Sequence, residues 1–315
     1  MPKQQTFHLA SDFKNAALPT ALRDLLPELS WSQVKGLIRQ RRVQINGNLC
    51  LDEGRTVKAG DVIRISNQSL SAPVTAKDVR IVHVDEHVVV IDKPPGITTL
   101  RHSEEKEWSD QRKQRQATLD ELVEGLVGKP ARAVHRLDRD TSGLMVFART
   151  VAAETHLIRQ FKKHTVDRAY LAIAQGDVAE QTIESMLVRD RGDGLRGSTS
   201  DPKAADAERA VTHIRPLERL SGYTVVECRL ETGRTHQIRI HLSERGHMLC
   251  GEKIYIRPPG GSMIKDPSGA SRQALHAAVL GFEHPVSGQR LQFVSPLPRD
   301  MAKLLEWLRK IAGGE

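Results

Sequence analysis

The stretch HRLDRDTSGL (residues 135–144) runs directly into the apolar segment LMVFA. Arg136, Asp138, Arg139 and Asp140 crowd a charged turn against a run that must be buried. A fold that accepts this chain therefore has to bring ionised groups to the edge of a hydrophobic core. The ordinary reading is a polar turn ahead of a strand, with Asp138 and Asp140 capping backbone amides and Arg136 and Arg139 neutralising them.

Three chemical readings compete with it. Asp138 and Asp140 form a D-x-D pair of the kind that holds a divalent metal, but two arginines beside it oppose a cation. Asp140-Thr141-Ser142-Gly143 nearly spells an aspartic-protease triplet, yet one residue is inserted and no second copy exists to share the proton. The third reading is a lone carboxylate kept ionised by a guanidinium, which offsets the desolvation that would otherwise neutralise it. It requires a second arginine brought close by the fold, and TGRTHQIRIH (232–241) is the obvious source. There Thr235 caps a helix that runs to Arg245 and stops at Gly246, with Ile238 and Leu242 on one face and Arg239 about one turn in. The Gly233-Arg234-Thr235 approach suits a phosphate at a helix start. A strand with Ile238, Ile240 and Leu242 alternating is the alternative. His236 and His241, five apart, do not share a helical face for a metal, and no histidine is assigned a role. Tyr170, in RAYLAIAQG, is either strand packing or a ring offered to a flat ligand.

The chain has 315 residues, 39% hydrophobic and 27% charged, with a net charge of +8. This suits a globular protein whose partner is a polyanion, nucleic acid first and an anionic membrane surface second, although simple solubility also accounts for the charge. Three widely spaced cysteines and no CxxC pair argue against a zinc ribbon or a disulfide framework and for a reducing, cytoplasmic setting. No signal core and no run of about 18 apolar residues is present, so membrane insertion is not expected.

Residues 1–15 read as a flexible arm. From 16 to 67 the pattern is self-contained. ALRDLLPEL has helical spacing at Leu22, Leu25, Leu26 and Leu29, and Ser30 caps a second helix with Val34, Leu37 and Ile38 inward. RVQINGNLC forms a hairpin around Asn46-Gly47, and DVIRI forms a last strand. Lys35, Arg39, Arg41 and Arg42 surround the exposed face and end of the second helix, as a solvated basic face or as phosphate contacts. Residues 68–77 read as a linker, and 78–315 as one further domain. Within it 101–118 and 256–273 are exposed, flexible insertions, and DMAKLLEWLRKIAG is an amphipathic terminal helix.

SWSQVKGLIRQRRVQINGNLCLDEGRTVKAGDVIRI resembles the αL-type RNA-binding module of a small-subunit ribosomal protein and several RNA-modifying enzymes. VVVIDKPPG, HRLDRDTSGLMVFART, RAYLAIAQG, ETGRTHQIRIHL and LHAAVLGFEHPVSGQRLQFVSPLP, in that order, resemble the RluA-type pseudouridine synthases, in the branch acting on large-subunit ribosomal RNA. The resemblance implies an α+β fold: a catalytic domain on a largely antiparallel sheet, preceded by the small α/β module. It implies Asp138 as the catalytic carboxylate, Arg239 as its partner, Tyr170 as the ring stacked on the target uracil, and Arg136 in the space the flipped nucleotide leaves. GHMLCGEKIYI departs from the family pattern, with Met248 and Glu252 in place of a turn proline and an aspartate.

Isomerising uridine needs no redox change or energy input, and neither cofactor nor metal is expected. Asp138 acts as a nucleophile or as a base; the residues leave both open. The expected partner is RNA, ribosomal first and transfer RNA second, with no membrane and no obligate protein partner. The rival readings are a non-catalytic ribosome-assembly factor and a hydrolase that releases uracil.

Overall fold

The computed structural model describes residues 5–10, 12–46, 48–67, 69–70, 74–101, 117–128, 130–201 and 204–313. Residues 102–116, most of the first expected insertion, lie outside the described residues.

The N-terminal unit contains β1 (Gln5–His8), β2 (Ala16–Ala17), α1 (Leu18–Leu25), α2 (Trp31–Arg39), β3 (Val43–Ile45), β4 (Asn48–Leu49), β5 (Thr56–Val57) and β6 (Val62–Ile65). Helix α2 starts where Ser30 indicates. Gln33 N–H donates to Ser30 Oγ (3.3 Å), and Ser30 N–H donates to Gln33 Oε1 (2.7 Å), a reciprocal capping box. Leu18, Leu22, Leu26, Val34, Leu37, Ile38, Ile63 and Ile65 close one core. Asn46 turns the hairpin at φ 51°.

The expected N-terminal arm is corrected here. Gln5–His8 pair antiparallel with β6, giving the sheet order β1-β6-β3-β4. The segment carries little hydrophobic signal because an edge strand packs one face only. Phe7 and Leu9 face the core while Thr6 and His8 are exposed.

The larger unit comprises β7 (Arg80–Val84), β8 (Val88–Lys93), α3 (Leu119–Val127), β9 (Arg132–Ala133), β10 (Ser142–Ala148), α4 (Val151–Lys162), β11 (Asp167–Gln175), β12 (Gln181–Val188), β13 (Gly197–Thr199), β14 (Glu208–Leu220), β15 (Tyr223–Leu230), α5 (Gln237–Glu244), β16 (Leu275–Glu283), β17 (Arg290–Val294) and α6 (Arg299–Gly313). Its strands form an 11-stranded sheet, ordered β13-β12-β14-β15-β11-β16-β10-β8-β7, with β17 on β16 and β9 on β10. Among the described residues every pairing is antiparallel except β10 with β16. The fold is α+β with a largely antiparallel sheet, as the resemblance implied.

The run LMVFA is apolar throughout because β10 is covered on both faces. Leu144, Val146 and Ala148 pack with Val88, Val90 and Leu157 on one side. Met145 and Phe147 pack with Val89, Ile91, Ile238 and Leu242 on the other. Helix α6 buries Met301, Leu305 and Leu308, whereas Trp307 and Ile311 are exposed.

The second insertion is also corrected. Asp266 accepts from Gly251 N–H, and the buried Arg272 pairs with Asp300, which ties 256–273 to the sheet end and to α6. Its small and polar composition hid these two anchors. The two units touch: Arg139 Nη1 donates to Leu49 O (3.0 Å), and Gly60 packs against Gly194, where a Cβ on Gly60 would lie 2.9 Å from a carbonyl oxygen. Among the described residues no helix is long and apolar enough to cross a membrane.

Gly143 explains the small residues after the charged knot. Its φ is +116°, and a Cβ there would lie 2.3 Å from Ala277 O, so only glycine admits the parallel pairing of β10 with β16. Gly143→Ala is expected to lower unfolding free energy by about 3 kcal/mol or more, from overlap and backbone strain together. Gly222→Ala is the control, since its φ of +77° is also left-handed but a Cβ there meets nothing within 4 Å. It should lose only ~1 kcal/mol. Urea denaturation compares the two, and equal losses would remove the close approach from the explanation.

Candidate active site

The charged knot forms the loop between β9 and β10. A backbone bond from Thr141 N–H to Asp138 O (3.2 Å) closes it. Thr99 Oγ1 donates to Leu137 O (2.9 Å) and accepts from Leu137 N–H (3.3 Å). Lys93, 1% exposed, donates to the carbonyls of Pro94, Arg139 and Thr141 at 3.1, 2.7 and 2.8 Å. Burial pushes its ammonium down to about 7. From the other side Arg272 Nη1 donates to Asp140 O (2.9 Å).

The partner segment is a helix, so the strand alternative falls. Its start differs from expectation. The N-cap is His236 at φ 60°, with no side-chain cap, and Thr235 lies one residue earlier. Gln237 fixes the approach instead. Its Oε1 accepts from Thr232 Oγ1 (2.8 Å) and Arg234 N–H (3.0 Å), while Nε2 donates to Val211 O and Thr212 Oγ1 (both 2.9 Å). An amide that both accepts and donates replaces the hydroxyl cap that the sequence suggested.

Arg239 then meets two carboxylates. Nε and Nη2 donate to the two oxygens of Glu252 at 2.7 Å each, and Nη1 donates to Asp138 Oδ2 at 3.1 Å. Burial would raise the Asp138 carboxyl, but His236, Arg239 and Arg136 outweigh it and hold it below the usual carboxylate range. Glu252, its side chain wholly buried, also accepts from Lys253 and Ile254 N–H. Against the upward push of burial, Arg239 and these amides bring it to about 2. The Arg239 guanidinium lies 5.3 Å from the centre of the Tyr255 ring.

Asp138, Arg136, Tyr170 and Arg239 line one cleft of about 450 Å³. That is the size of a small-ligand pocket, about 300–1,000 Å³. Tyr170 is 8% exposed and contributes from β11, Arg136 and Lys162 stand at the exposed rim, and the half-buried Arg168 lines the cleft while donating to Glu231 O. The arrangement can act on a neutral ring stacked beside a carboxylate while cations at the mouth receive phosphates.

Three residues escaped the sequence reading. His236 was given no role but lines the cleft, with Nε2 3.8 Å from Asp138 Oδ1. Its signal was membership of GRTHQIRIH itself. Glu252 was read only as a departure from the family pattern. Lys93, a lone cation closing an apolar strand before Pro94-Pro95, was passed over. His241 bonds Thr212 and Ser185, in line with its lack of an assigned role.

Of the four basic residues near α2, the half-buried Lys35 and the exposed Arg39 face Glu53 at 3.8 and 2.8 Å. Arg41 adopts φ 58° just past the helix. Arg42 is a correction: it is 7% exposed, and its Nε donates to Ser66 O (2.7 Å). The helix has ended by residue 42, so the 3.6-residue face no longer predicts direction.

Glu252→Ala would leave Arg239 buried with a single weakly held partner. It should lower stability by about 3–5 kcal/mol. A denaturation midpoint within error of the parent would show that this pair contributes little.

Residues 87–244 match the RNA pseudouridylate synthase family, and residues 18–63 match the S4 domain. The chain is 35% identical over 312 residues to the ribosomal large subunit pseudouridine synthase D of Neisseria meningitidis serogroup B, covering 94% of this chain and 79% of that one. It is 35% identical over 302 residues to an uncharacterized RNA pseudouridine synthase of Bacillus subtilis, covering 90% and 91%. Its fold is similar to that of human RNA pseudouridylate synthase domain containing 4, with a TM-score of 0.57 and 24% identity, over 73% of this chain and 93% of that one. With the carboxylate, its arginine and the ring in one cleft behind an S4 domain, this chain belongs to the RNA pseudouridylate synthase family of isomerases.

Proposed function

We propose that the protein isomerises uridine to pseudouridine in large-subunit ribosomal RNA, in the cytoplasm, with Asp138 as the catalytic carboxylate. The observation that carries this reading is the 3.1 Å contact between Arg239 Nη1 and Asp138 Oδ2 in a cleft that Tyr170 also lines. The relatives named for large-subunit ribosomal RNA support the substrate.

The target base leaves its stack at a cost of a few kcal/mol. Stacking on Tyr170, worth ~1–3 kcal/mol, offsets part of that cost, and Arg136 at the rim fills the vacated space. The ionised Asp138 acts on the ribose, as nucleophile at the anomeric carbon or as base at the carbon beside it, and the N1 glycosidic bond breaks. The uracil turns within the cleft and rejoins through C5. As the bond to C5 forms, the ester bond to Asp138 breaks or the proton it took returns to the ribose; the C5 proton is lost and N1 gains one, so the products balance without oxidant or added group. Lys35, Arg39 and Arg41 hold the RNA backbone through phosphates. Exposed pairs such as Arg39–Glu53 stabilise by only ~0–1 kcal/mol, so both cations are readily exchanged to phosphate.

Asp138→Asn should abolish pseudouridine formation in purified RNA while the dissociation constant moves by about threefold or less, since the lost interaction is made in the transition state. Activity in that variant would remove Asp138 from its role. Mapping pseudouridines in cells with and without the protein should show loss at large-subunit ribosomal RNA sites; loss confined to transfer RNA would overturn the substrate. Replacing Lys35, Arg39 and Arg41 with alanine should lower the slope of log affinity against log salt by about 2–3. An unchanged slope would place the phosphate contacts elsewhere.

A further inference from the structure

The imidazole of His236 is held from both sides. Its Nδ1 lies 2.7 Å from the Tyr255 hydroxyl, and the rings meet edge to face at 5.5 Å. Its Nε2 faces Asp138 Oδ1 at 3.8 Å across the cleft. The residue carries a left-handed φ of 60° in a chain where most such positions are glycine, so the backbone is strained where this side chain enters the site.

Tyr255 decides where the histidine proton sits. The residue is 1% exposed, and among the described residues its hydroxyl has one hydrogen-bond partner, His236 Nδ1. A buried phenol has to donate its proton, and Nδ1 is the acceptor within reach. Nδ1 is then bare and the ring proton is on Nε2, pointing at Asp138. The ring stays neutral near pH 7. Burial pushes it down to about 4, helped by Arg239 and Arg196 and opposed by Asp138 and Glu252, the charged groups that surround it.

The two oxygens of Asp138 are therefore divided. Oδ2 accepts from Arg239, and Oδ1 faces the imidazole N–H. We propose that His236 is a positioning residue for the reaction, whose Nε2–H, fixed by the Tyr255 hydroxyl, holds Oδ1 of Asp138 toward the ribose of the bound nucleotide. The 3.8 Å separation is longer than a hydrogen bond, and such contacts commonly tighten when substrate closes the site. The neutral ring suits this task, because it orients the carboxylate without adding a second full cation to the one Arg239 supplies. The role rests on Asp138 being the catalytic group, while the proton position does not.

The test uses the full chain labelled with ¹⁵N-histidine. The His236 signals should show a protonated Nε2 and a bare Nδ1 at pH 7, with the ring still neutral at pH 5. Tyr255→Phe keeps the ring under Arg239 but removes the donor. It should give mixed tautomers and lower kcat about tenfold, with KM changed by less than about twofold. His236→Asn accepts the left-handed backbone but falls short of Asp138, and should lose about 100-fold in kcat. His236→Gln reaches with an amide N–H and should recover at least about tenfold of that loss. An Nδ1-protonated ring, a tautomer unmoved by Tyr255→Phe, or full kcat in His236→Asn would each overturn the proposal. Activity surviving in Asp138→Asn would instead overturn the function it rests on, and the spectra would still report the proton position.

Discussion

One buried guanidinium holds the cleft floor together. Arg239 gives two of its N–H groups to Glu252 and a third to Asp138. The division has a chemical consequence. A fork shared evenly with Asp138 would compensate that carboxylate fully and leave it inert. With Glu252 as the two-point anchor, the guanidinium is locked in direction and presents only Nη1 to Asp138. Nη1 meets Oδ2 alone, so Oδ1 of Asp138 takes no hydrogen bond from this guanidinium. Glu252 can carry its own charge in the interior because Lys253 and Ile254 N–H add to the arginine.

The loop bearing Asp138 is held as firmly as its partner. Lys93 collects three carbonyls, two of them from the loop, and Thr99 and Arg272 tie the loop's two ends. A lysine here satisfies acceptors that the turn leaves unpaired inside the protein. Burial brings its ammonium down to about 7, so its task here is to hold the loop's backbone. Gly143 then lets β10 approach β16 closely enough to fix the loop's height over the sheet. Rigid support of this kind fixes the position of a single carboxylate in the cleft.

The same loop also meets the RNA-binding unit. Arg139, next to Asp138, reaches Leu49 O in the hairpin after α2, and Gly60 and Gly194 pack backbone against backbone. The S4 domain is thereby held against the loop that carries Asp138 and against the Gly194 turn.

Local features of the chain were enough to define much of this. Helical spacing and the Ser30 cap specified the two short helices, the Asn46-Gly47 pair specified the hairpin, and the apolar run after the charged turn specified a buried segment, whose cover on both faces came from the tertiary structure. The pairing of Asp138 with Arg239 was legible through the resemblance: the charge argument called for an arginine from TGRTHQIRIH, and the family pattern singled out Arg239. Edge strand Gln5–His8 was not legible, since its hydrogen bonds come from β6 and its own sequence has almost no periodicity. Arg42 read as surface by extending a helix that had already ended. Glu252, His236 and Lys93 lie 13, 3 and 146 residues from Arg239 along the chain, yet all face one small volume. Which polar atoms become partners there depends on how the strands and α5 stack, and residue type or spacing does not encode that distance. Only the tertiary structure decided that Glu252 takes the arginine's fork and that the Tyr255 hydroxyl meets His236 Nδ1.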